Sequence, residues 1–276
     1  MKLRLGERTY DLTTRALVMG ILNRTPDSFY DRGATFALDV LLERADELVV
    51  QGADVLDVGG VKAGPGPDVS EEEELDRVVP ALEALHARFD VPLSVDTWRA
   101  SVAGEAYAVG AVMGNDISGF ADPDYLEAAS RAGAAVVATH IRTGPRVPDP
   151  DPHYDDVVEA VGSFLVNRAE RARSAGIPDD RIVLDAGLDL GKTGWQSLEV
   201  LRASDVLAGL GYPVLLSASN KLFLGAVLDL PIDGRGDASL AAAAIGVSLG
   251  CRLVRAHDVA GTRRVCDAVA AVLEAS

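Results

Sequence analysis

Three polar side chains stand at or directly after short apolar runs of the chain, and their chemistry suits a flat heterocycle. Asp96 and Asp185 each follow such a run, and Asn115 closes a third. A carboxylate accepts two N–H groups side by side, and an amide offers both a donor and an acceptor. Asp and Asn are also common helix N-caps. These residues therefore leave two interpretations open, a ring-binding site and a set of simple caps.

A second group, formed by Lys221, Arg255 and His257, follows the last two apolar runs and is a candidate anion site. The chain has 42 Asp and Glu residues against 26 Lys and Arg residues, with a formal net charge of -16. Such a protein repels anions overall, so three donors close together indicate a local pocket for phosphate or a similar group. The same charge argues against nucleic acid as a general partner.

The elements that would position these side chains are short apolar runs alternating with segments of helical periodicity. Eight strands are predicted, at residues 16–22, 55–58, 93–95, 111–115, 135–139, 182–184, 214–216 and 252–255. Helices are predicted near residues 38–51, 71–88, 100–109, 123–132, 155–175, 196–209, 237–249 and 260–275. Eight strand–helix units favour a TIM (β/α)8 barrel over an open doubly wound sheet, and they favour one domain over residues 1–276 rather than two domains. A barrel gathers the carboxyl ends of its strands at one mouth, where both groups would meet.

The first dozen residues predict a short hairpin that turns at Gly6 and Glu7 and caps the bottom of the barrel. Cys251 and Cys266 are the only cysteines, and their spacing fits neither a disulfide framework nor a zinc site. No stretch approaches the roughly 20 apolar residues of a membrane span. We therefore expect a cytoplasmic protein without membrane association.

The strand-end strings resemble the dihydropteroate synthase family, in order and along nearly the whole chain. They are Met-Gly-Ile-Leu-Asn at 19–23 with Thr-Pro-Asp-Ser-Phe at 25–29, Asp-Val-Gly-Gly at 57–60, Ser-Val-Asp-Thr at 94–97, Asn-Asp-Ile at 115–117, Leu-Asp at 184–185 with Gly-Lys at 191–192, Ser-Asn-Lys at 219–221 and Arg-Ala-His-Asp at 255–258. The family fold is a TIM barrel, which agrees with the fold predicted from the strand and helix pattern.

The resemblance implies a transferase of folate biosynthesis. Such an enzyme joins 4-aminobenzoate to 6-hydroxymethyl-7,8-dihydropterin diphosphate and releases pyrophosphate, with Mg²⁺ assisting. By position, the residues implied to hold the pterin are Asp96, Asn115, Asp185, Lys221 and Arg255. Those implied to reach the diphosphate are Asn23, Arg255 and His257, with Asn23 also near the metal. The catalytic set implied is Asn23, Lys221, Arg255 and His257, and the family also implies a homodimer through the later helices.

The chain departs from the family pattern on the side of the acceptor amine. In loop 2, defined as residues 60–70, the family reads Gly-Gly-Glu-Ser-Thr-Arg-Pro-Gly where residues 59–66 read Gly-Gly-Val-Lys-Ala-Gly-Pro-Gly. Ala63 and Gly64 thus replace Thr and Arg, and Asn220 stands where the family usually has Arg. Lys62 and Arg24 are the candidates to replace the missing guanidinium. These changes resemble a divergent second-copy branch of the family with an altered loop 2.

Three functions are consistent with this pattern. The leading hypothesis is a dihydropteroate synthase, with 4-aminobenzoate or another amine as acceptor. The second is a pterin-binding paralogue without synthase turnover, because the pterin residues are present while the loop 2 residues differ. The third is a methyltransferase that uses methyltetrahydrofolate, which the diphosphate-side residues Asn23, Arg255 and His257 disfavour.

Overall fold

The computed structural model describes residues 1–24, 38–64 and 66–275. The predicted motif at 25–29 and the residue Pro65 of loop 2 lie outside the described residues.

Eight parallel strands form a closed barrel, which confirms the predicted fold. The strands are β3 (Leu17–Asn23), β4 (Val55–Gly59), β5 (Leu93–Asp96), β6 (Ala111–Asp116), β7 (Ala135–Thr139), β8 (Ile182–Asp185), β9 (Val214–Leu216) and β10 (Leu253–Ala256). They follow one another around the barrel in sequence order, and β10 closes it against β3. All eight carboxyl ends therefore open onto one face.

The hairpin β1 (Lys2–Leu5) and β2 (Arg8–Asp11) is antiparallel and lies apart from the barrel sheet. Leu3, Leu5 and Leu12 are fully buried and pack with the inward residues of the barrel, including Leu17 and Met19. The hairpin thus fills one end of the barrel interior, as the sequence predicts, and leaves the chemistry to the other end.

Helices surround the barrel, and most lie where the sequence predicts them. They are α1 (Leu38–Val50), α2 (Glu71–Arg88), α3 (Ala100–Ala108), α4 (Tyr125–Ala132), α5 (Val157–Ser174), α6 (Gly194–Arg202), α7 (Ser204–Ala208), α8 (Leu222–Leu228), α9 (Gly236–Ser248) and α10 (Val259–Glu274). Their apolar faces pack on the outer face of the strands in one large cluster. No helix in the described part of the chain has the length and apolar character needed to cross a membrane.

The start of α2 illustrates how local sequence fixes an element. Ser70 Oγ accepts the main-chain N–H of Glu73 at 3.1 Å, which satisfies one of the unpaired donors of the first turn. The sequence also predicts that Glu73 completes a capping box. Instead, the Glu73 carboxylate forms an ion pair with Arg77 one turn later, because this charged partner outcompetes the main-chain N–H of Ser70.

Candidate active site

The predicted site residues lie around the mouth of the barrel. Asn23, Asp96 and Asp185 are the last residues of β3, β5 and β8. Asn115 and Arg255 are each the next-to-last residue of their strands, β6 and β10. Because the strands are parallel and the barrel is closed, all five side chains belong to the same end of the fold.

Arg255 is the centre of a hydrogen-bonded group that joins four strands. Its Nε donates to Asp57 Oδ2 at 2.6 Å, and its Nη2 donates to Asp96 Oδ2 at 2.8 Å. Asn115 Nδ2 donates to the same Asp57 oxygen at 3.2 Å. The structure therefore brings together three of the predicted pterin residues, and Asp57 links them.

Asp57 is the fourth member of this group, and the sequence prediction assigned it no role. It lies in the middle of β4 and is fully buried, while its other oxygen, Oδ1, has no hydrogen-bond partner among the described residues. Asp57 belongs to the family-like string at 57–60, but it precedes the last residue of the predicted strand 55–58 and was therefore given no role. The available signal was a charged residue within the apolar run 55–58.

Burial and neighbouring charges set the protonation of this group. Burial raises the pKa of Asp96 to about 7, and Asp57 adds to this rise while Arg255 opposes it. Burial would lower the pKa of Arg255, but the two carboxylates outweigh it and raise that pKa. Arg255 is thus a permanent cation, and Asp96 exchanges a proton near neutral pH, so it can act as an acceptor or a donor.

Asp185 and Lys221 form the second half of the mouth. Asp185 Oδ1 accepts the N–H of Gly187 at 2.7 Å, and Lys221 Nζ donates to the carbonyl of Leu188 at 2.6 Å. Burial raises the pKa of Asp185, with Lys221 opposing the rise, and burial lowers the pKa of Lys221. Gly187 has φ +62°, and a Cβ there would lie 1.9 Å from the carbonyl oxygen of His140, so only glycine fits this turn.

Beneath this turn lies a buried basic pair that the site prediction also missed. Lys192 Nζ contacts His140 Nδ1 at 2.7 Å and donates to the carbonyls of Gly187 at 2.9 Å and Leu190 at 3.3 Å. Burial lowers the pKa of Lys192 to about 7, and burial with the neighbouring lysine lowers that of His140 to about 3. His140 is therefore a neutral acceptor that helps Lys192 hold the turn after Asp185.

His257 is oriented by Ser219 from the loop after β9. Ser219 Oγ accepts the main-chain N–H of His257 at 3.1 Å and lies 2.9 Å from its Nδ1. These two contacts fix both the main chain and the ring of His257 relative to Ser219. His257 is thus held at the mouth by Ser219, and Arg255 by the carboxylates.

Loop 2 and Asn220 lie at the positions where the sequence departs from the family pattern. Ala63 and Gly64 are exposed, and a Cβ at Gly64 would meet nothing within 4 Å. Asn220 adopts a left-handed conformation with φ 57°, and its carbonyl accepts Nη1 of Arg235 at 3.0 Å. Arg24, one candidate for the missing guanidinium, is buried and donates from Nε to the carbonyl of Arg77 in α2 at 3.1 Å.

Comparison with known proteins gives the class of the fold and site. The family description "Pterin binding enzyme" matches residues 19–257. The computed structure has a TM-score of 0.95 to Yersinia pestis dihydropteroate synthase in a sulfonamide drug complex, with 39% sequence identity and 100% of each chain covered. The chain belongs to the pterin-binding enzyme family.

Two curated relatives locate it further within that family. The inactive dihydropteroate synthase 2 of Mycobacterium leprae is 43% identical over 270 residues, which cover 94% of this chain and 91% of that protein. The dihydropteroate synthase of Haemophilus influenzae is 41% identical over 263 residues, or 95% of each. The resemblance to dihydropteroate synthases is thus confirmed, and a relative named inactive and one named dihydropteroate synthase are nearly equally identical to this chain.

Proposed function

We propose that this protein is a transferase that condenses 6-hydroxymethyl-7,8-dihydropterin diphosphate with 4-aminobenzoate and releases pyrophosphate. The observation that carries the proposal is the group at the barrel mouth in which Arg255 is bonded to Asp57 and Asp96. Asp185 and Lys221, whose charges interact, lie at the same mouth, and relatives of the chain are named dihydropteroate synthase.

In the proposed pterin pocket, acceptors and donors of the protein pair with those along the edges of the flat ring. The Asp185 carboxylate accepts the two N–H groups of the guanidine-like edge, since Gly187 occupies only one of its oxygens. Asn115 and Asp96 bind the remaining ring edge, where an amide and a carboxyl with a pKa near 7 supply both donors and acceptors. Lys221, whose charge interacts with Asp185, donates to a ring oxygen or nitrogen.

The proposed diphosphate site combines Asn23, Arg255 and His257. The described residues hold no group of three or more His, Cys, Asp or Glu side chains that could bind a metal alone. Mg²⁺ prefers oxygen ligands and keeps several waters, so the amide oxygen of Asn23 fits an ion that arrives with the diphosphate. When bound, Mg²⁺ would neutralise negative charge on the leaving pyrophosphate. Arg255 adds a positive charge there, and His257 adds an N–H donor.

In the proposed reaction, the C–O bond between the pterin methylene carbon and the diphosphate breaks, and the amine nitrogen forms a C–N bond to that carbon. Pyrophosphate leaves with the bonding electron pair, and the proton of the amine passes to water. The carboxylates of the pocket stabilise the positive charge that the pterin shares as the C–O bond breaks, while the cations stabilise the leaving group.

A second candidate is a pterin-binding paralogue without turnover, and a specific observation favours it. Loop 2 offers neither the Thr nor the Arg of the family pattern, since Ala63 and Gly64 stand there. Four of the Mycobacterium relatives are named inactive dihydropteroate synthase 2.

The resemblance also supports a homodimer in the cytoplasm as part of the proposal, and sedimentation of the purified protein tests the dimer.

Mass spectrometry of the reaction mixture tests the proposal. The protein is incubated with the pterin diphosphate, Mg²⁺ and 4-aminobenzoate, and dihydropteroate is the expected product. Asp185→Ala, which removes the ring-binding carboxylate, should form none. Tight pterin binding by calorimetry without product with any amine would replace the proposal with the non-catalytic paralogue.

A further inference from the structure

The main chain of loop 2 is held by an arginine from a different loop. Arg146 lies between β7 and α5, and its main-chain N–H donates to the carbonyl of Ala63 at 3.2 Å. Its Nη2 donates to the carbonyls of Gly66 and Pro67. Between Ala63 and Pro67, every hydrogen bond that the described residues make goes to Arg146.

The loop that carries Arg146 is itself fixed, on the side away from loop 2, by contacts within the loop and with the loop after β8. Arg142 forms two hydrogen bonds with Asp149 in the same loop, at 2.6 and 3.0 Å. Tyr154 OH donates to the carbonyl of Gly191 at 2.7 Å, and a Cβ at Gly191 would lie 2.7 Å from Cβ of Arg142. The loop after β7 therefore packs on the loop after β8, which follows Asp185, and reaches from there to loop 2.

An arginine suits this role because loop 2 offers only main-chain acceptors here. Ala63, Gly64 and Gly66 have no polar side chain, so a side chain that donates hydrogen bonds can fix this segment only through its carbonyl oxygens. A guanidinium is always charged and presents several donors in a plane, and its hydrogen bonds to carbonyls are stronger than those of neutral donors. Arg146 has φ 65°, an unfavourable conformation for a non-glycine residue that the fold maintains at this contact.

We propose that Arg146 is a positioning residue for loop 2 and that, through loop 2, it sets the affinity for the acceptor amine. Its main-chain N–H and its guanidinium bind carbonyl oxygens on both sides of position 64. Nε and Nη1 of Arg146 take part in no hydrogen bond among the described residues, so the contact to loop 2 rests on Nη2 and the main chain. This inference rests on the proposed function for its second half, since the acceptor is defined there.

A lysine-specific protease tests the first half without any substrate. The chain has four lysines, and one of them, Lys62, directly precedes the segment that Arg146 holds. Cleavage of the Lys62–Ala63 bond under native conditions therefore reports the order of loop 2. Arg146→Met should be cleaved at this bond at least ten-fold faster than the wild type. The matched control is Arg131→Met, which removes an arginine paired with Glu127 on the surface of α4 and should leave the rate unchanged.

Amine affinity tests the second half. We expect Arg146→Met to raise the KM for 4-aminobenzoate about ten-fold to a hundred-fold, the range for losing hydrogen bonds from a charged donor, with kcat and pterin affinity within two-fold. Arg146→Lys, which retains a charge and a donor, should recover part of the loss. Calorimetric titration of 4-aminobenzoate into protein loaded with dihydropterin and pyrophosphate gives the same comparison without turnover.

The outcomes separate the inference from the proposed function. Equal cleavage rates in Arg146→Met and the wild type would overturn the positioning role. Faster cleavage with an unchanged amine KM would overturn the link to the acceptor. If the wild type neither turns over nor binds 4-aminobenzoate, the proposed function and the link to that acceptor both fail, and the cleavage comparison still decides whether Arg146 holds loop 2.

Discussion

Asp57 should be as important for pterin binding as the residues that contact the ring. Its Oδ2 accepts both Arg255 Nε and Asn115 Nδ2, and the side chain is fully buried. Asp57→Asn keeps the shape of the side chain and removes its charge. Asp96 is then the only carboxylate partner left to Arg255 among the described residues, and this stronger demand draws Asp96 away from the pterin. The new amide also buries an NH₂ group that has no acceptor.

The size of the effect follows from these contacts. A hydrogen bond to a charged group contributes about 1.5–3 kcal/mol, which corresponds to about a ten-fold to hundred-fold weaker Kd for the pterin. Calorimetric titration with a dihydropterin measures this change directly. Glu127→Gln, which removes a carboxylate from an exposed pair on α4, is the control and should bind pterin like the wild type. A folded Asp57→Asn protein with wild-type pterin affinity would refute the claim that Asp57 organises the mouth.

Three further changes test the electrostatics of the site. Burial lowers the pKa of Lys192 to about 7 from an ordinary value of 10.5, so the unfolded chain binds this proton more tightly and stability rises with pH between those values. In urea unfolding, Lys192→Met should remove this rise, and pterin affinity should fall because the turn after Asp185 is no longer held. Burial raises the pKa of Asp96 to about 7 from 3.8, so stability falls as pH rises across that interval, and Asp96→Asn should flatten this slope. Ser219→Ala removes both contacts to His257 and should lower kcat about five-fold to thirty-fold while pterin affinity stays within two-fold of wild type, as steady-state kinetics and calorimetry would measure. An unchanged pH slope in either charge variant, or an unchanged kcat in the serine variant, would contradict the corresponding assignment.

The barrel was predictable because its signal is repeated along the chain. Each strand is a short apolar run that is followed by a helical segment. In every unit the apolar face of the helix packs on the outer face of the strands. The short helix α8 (Leu222–Leu228) was not predicted, since it has seven residues with Gly225 at its centre, and Leu222 and Leu228 are exposed. The predicted helix at 196–209 is instead two helices, because Ser204 Oγ bonds back to the carbonyl of Leu201 and a new helix begins there.

The site was predictable where it follows the rule that barrel chemistry lies at strand ends, as at Asp96 and Asp185. The part played by Asp57 was not predicted from this rule, because its carboxylate reaches the mouth from within a strand. The pair of Lys192 and His140 was not predictable from spacing, because the two residues are 52 positions apart and meet only through the packing of two loops. The contact of Arg146 with loop 2 spans about 80 positions and has the same origin.

The most direct test of the proposed synthase is the initial rate of pyrophosphate release from the pterin diphosphate in the presence of Mg²⁺, with and without 4-aminobenzoate. Release should depend on the amine, saturate with it and be abolished in Asp185→Ala. Release that is absent, or that is the same with and without the amine, while the pterin still binds, would contradict the proposed synthase.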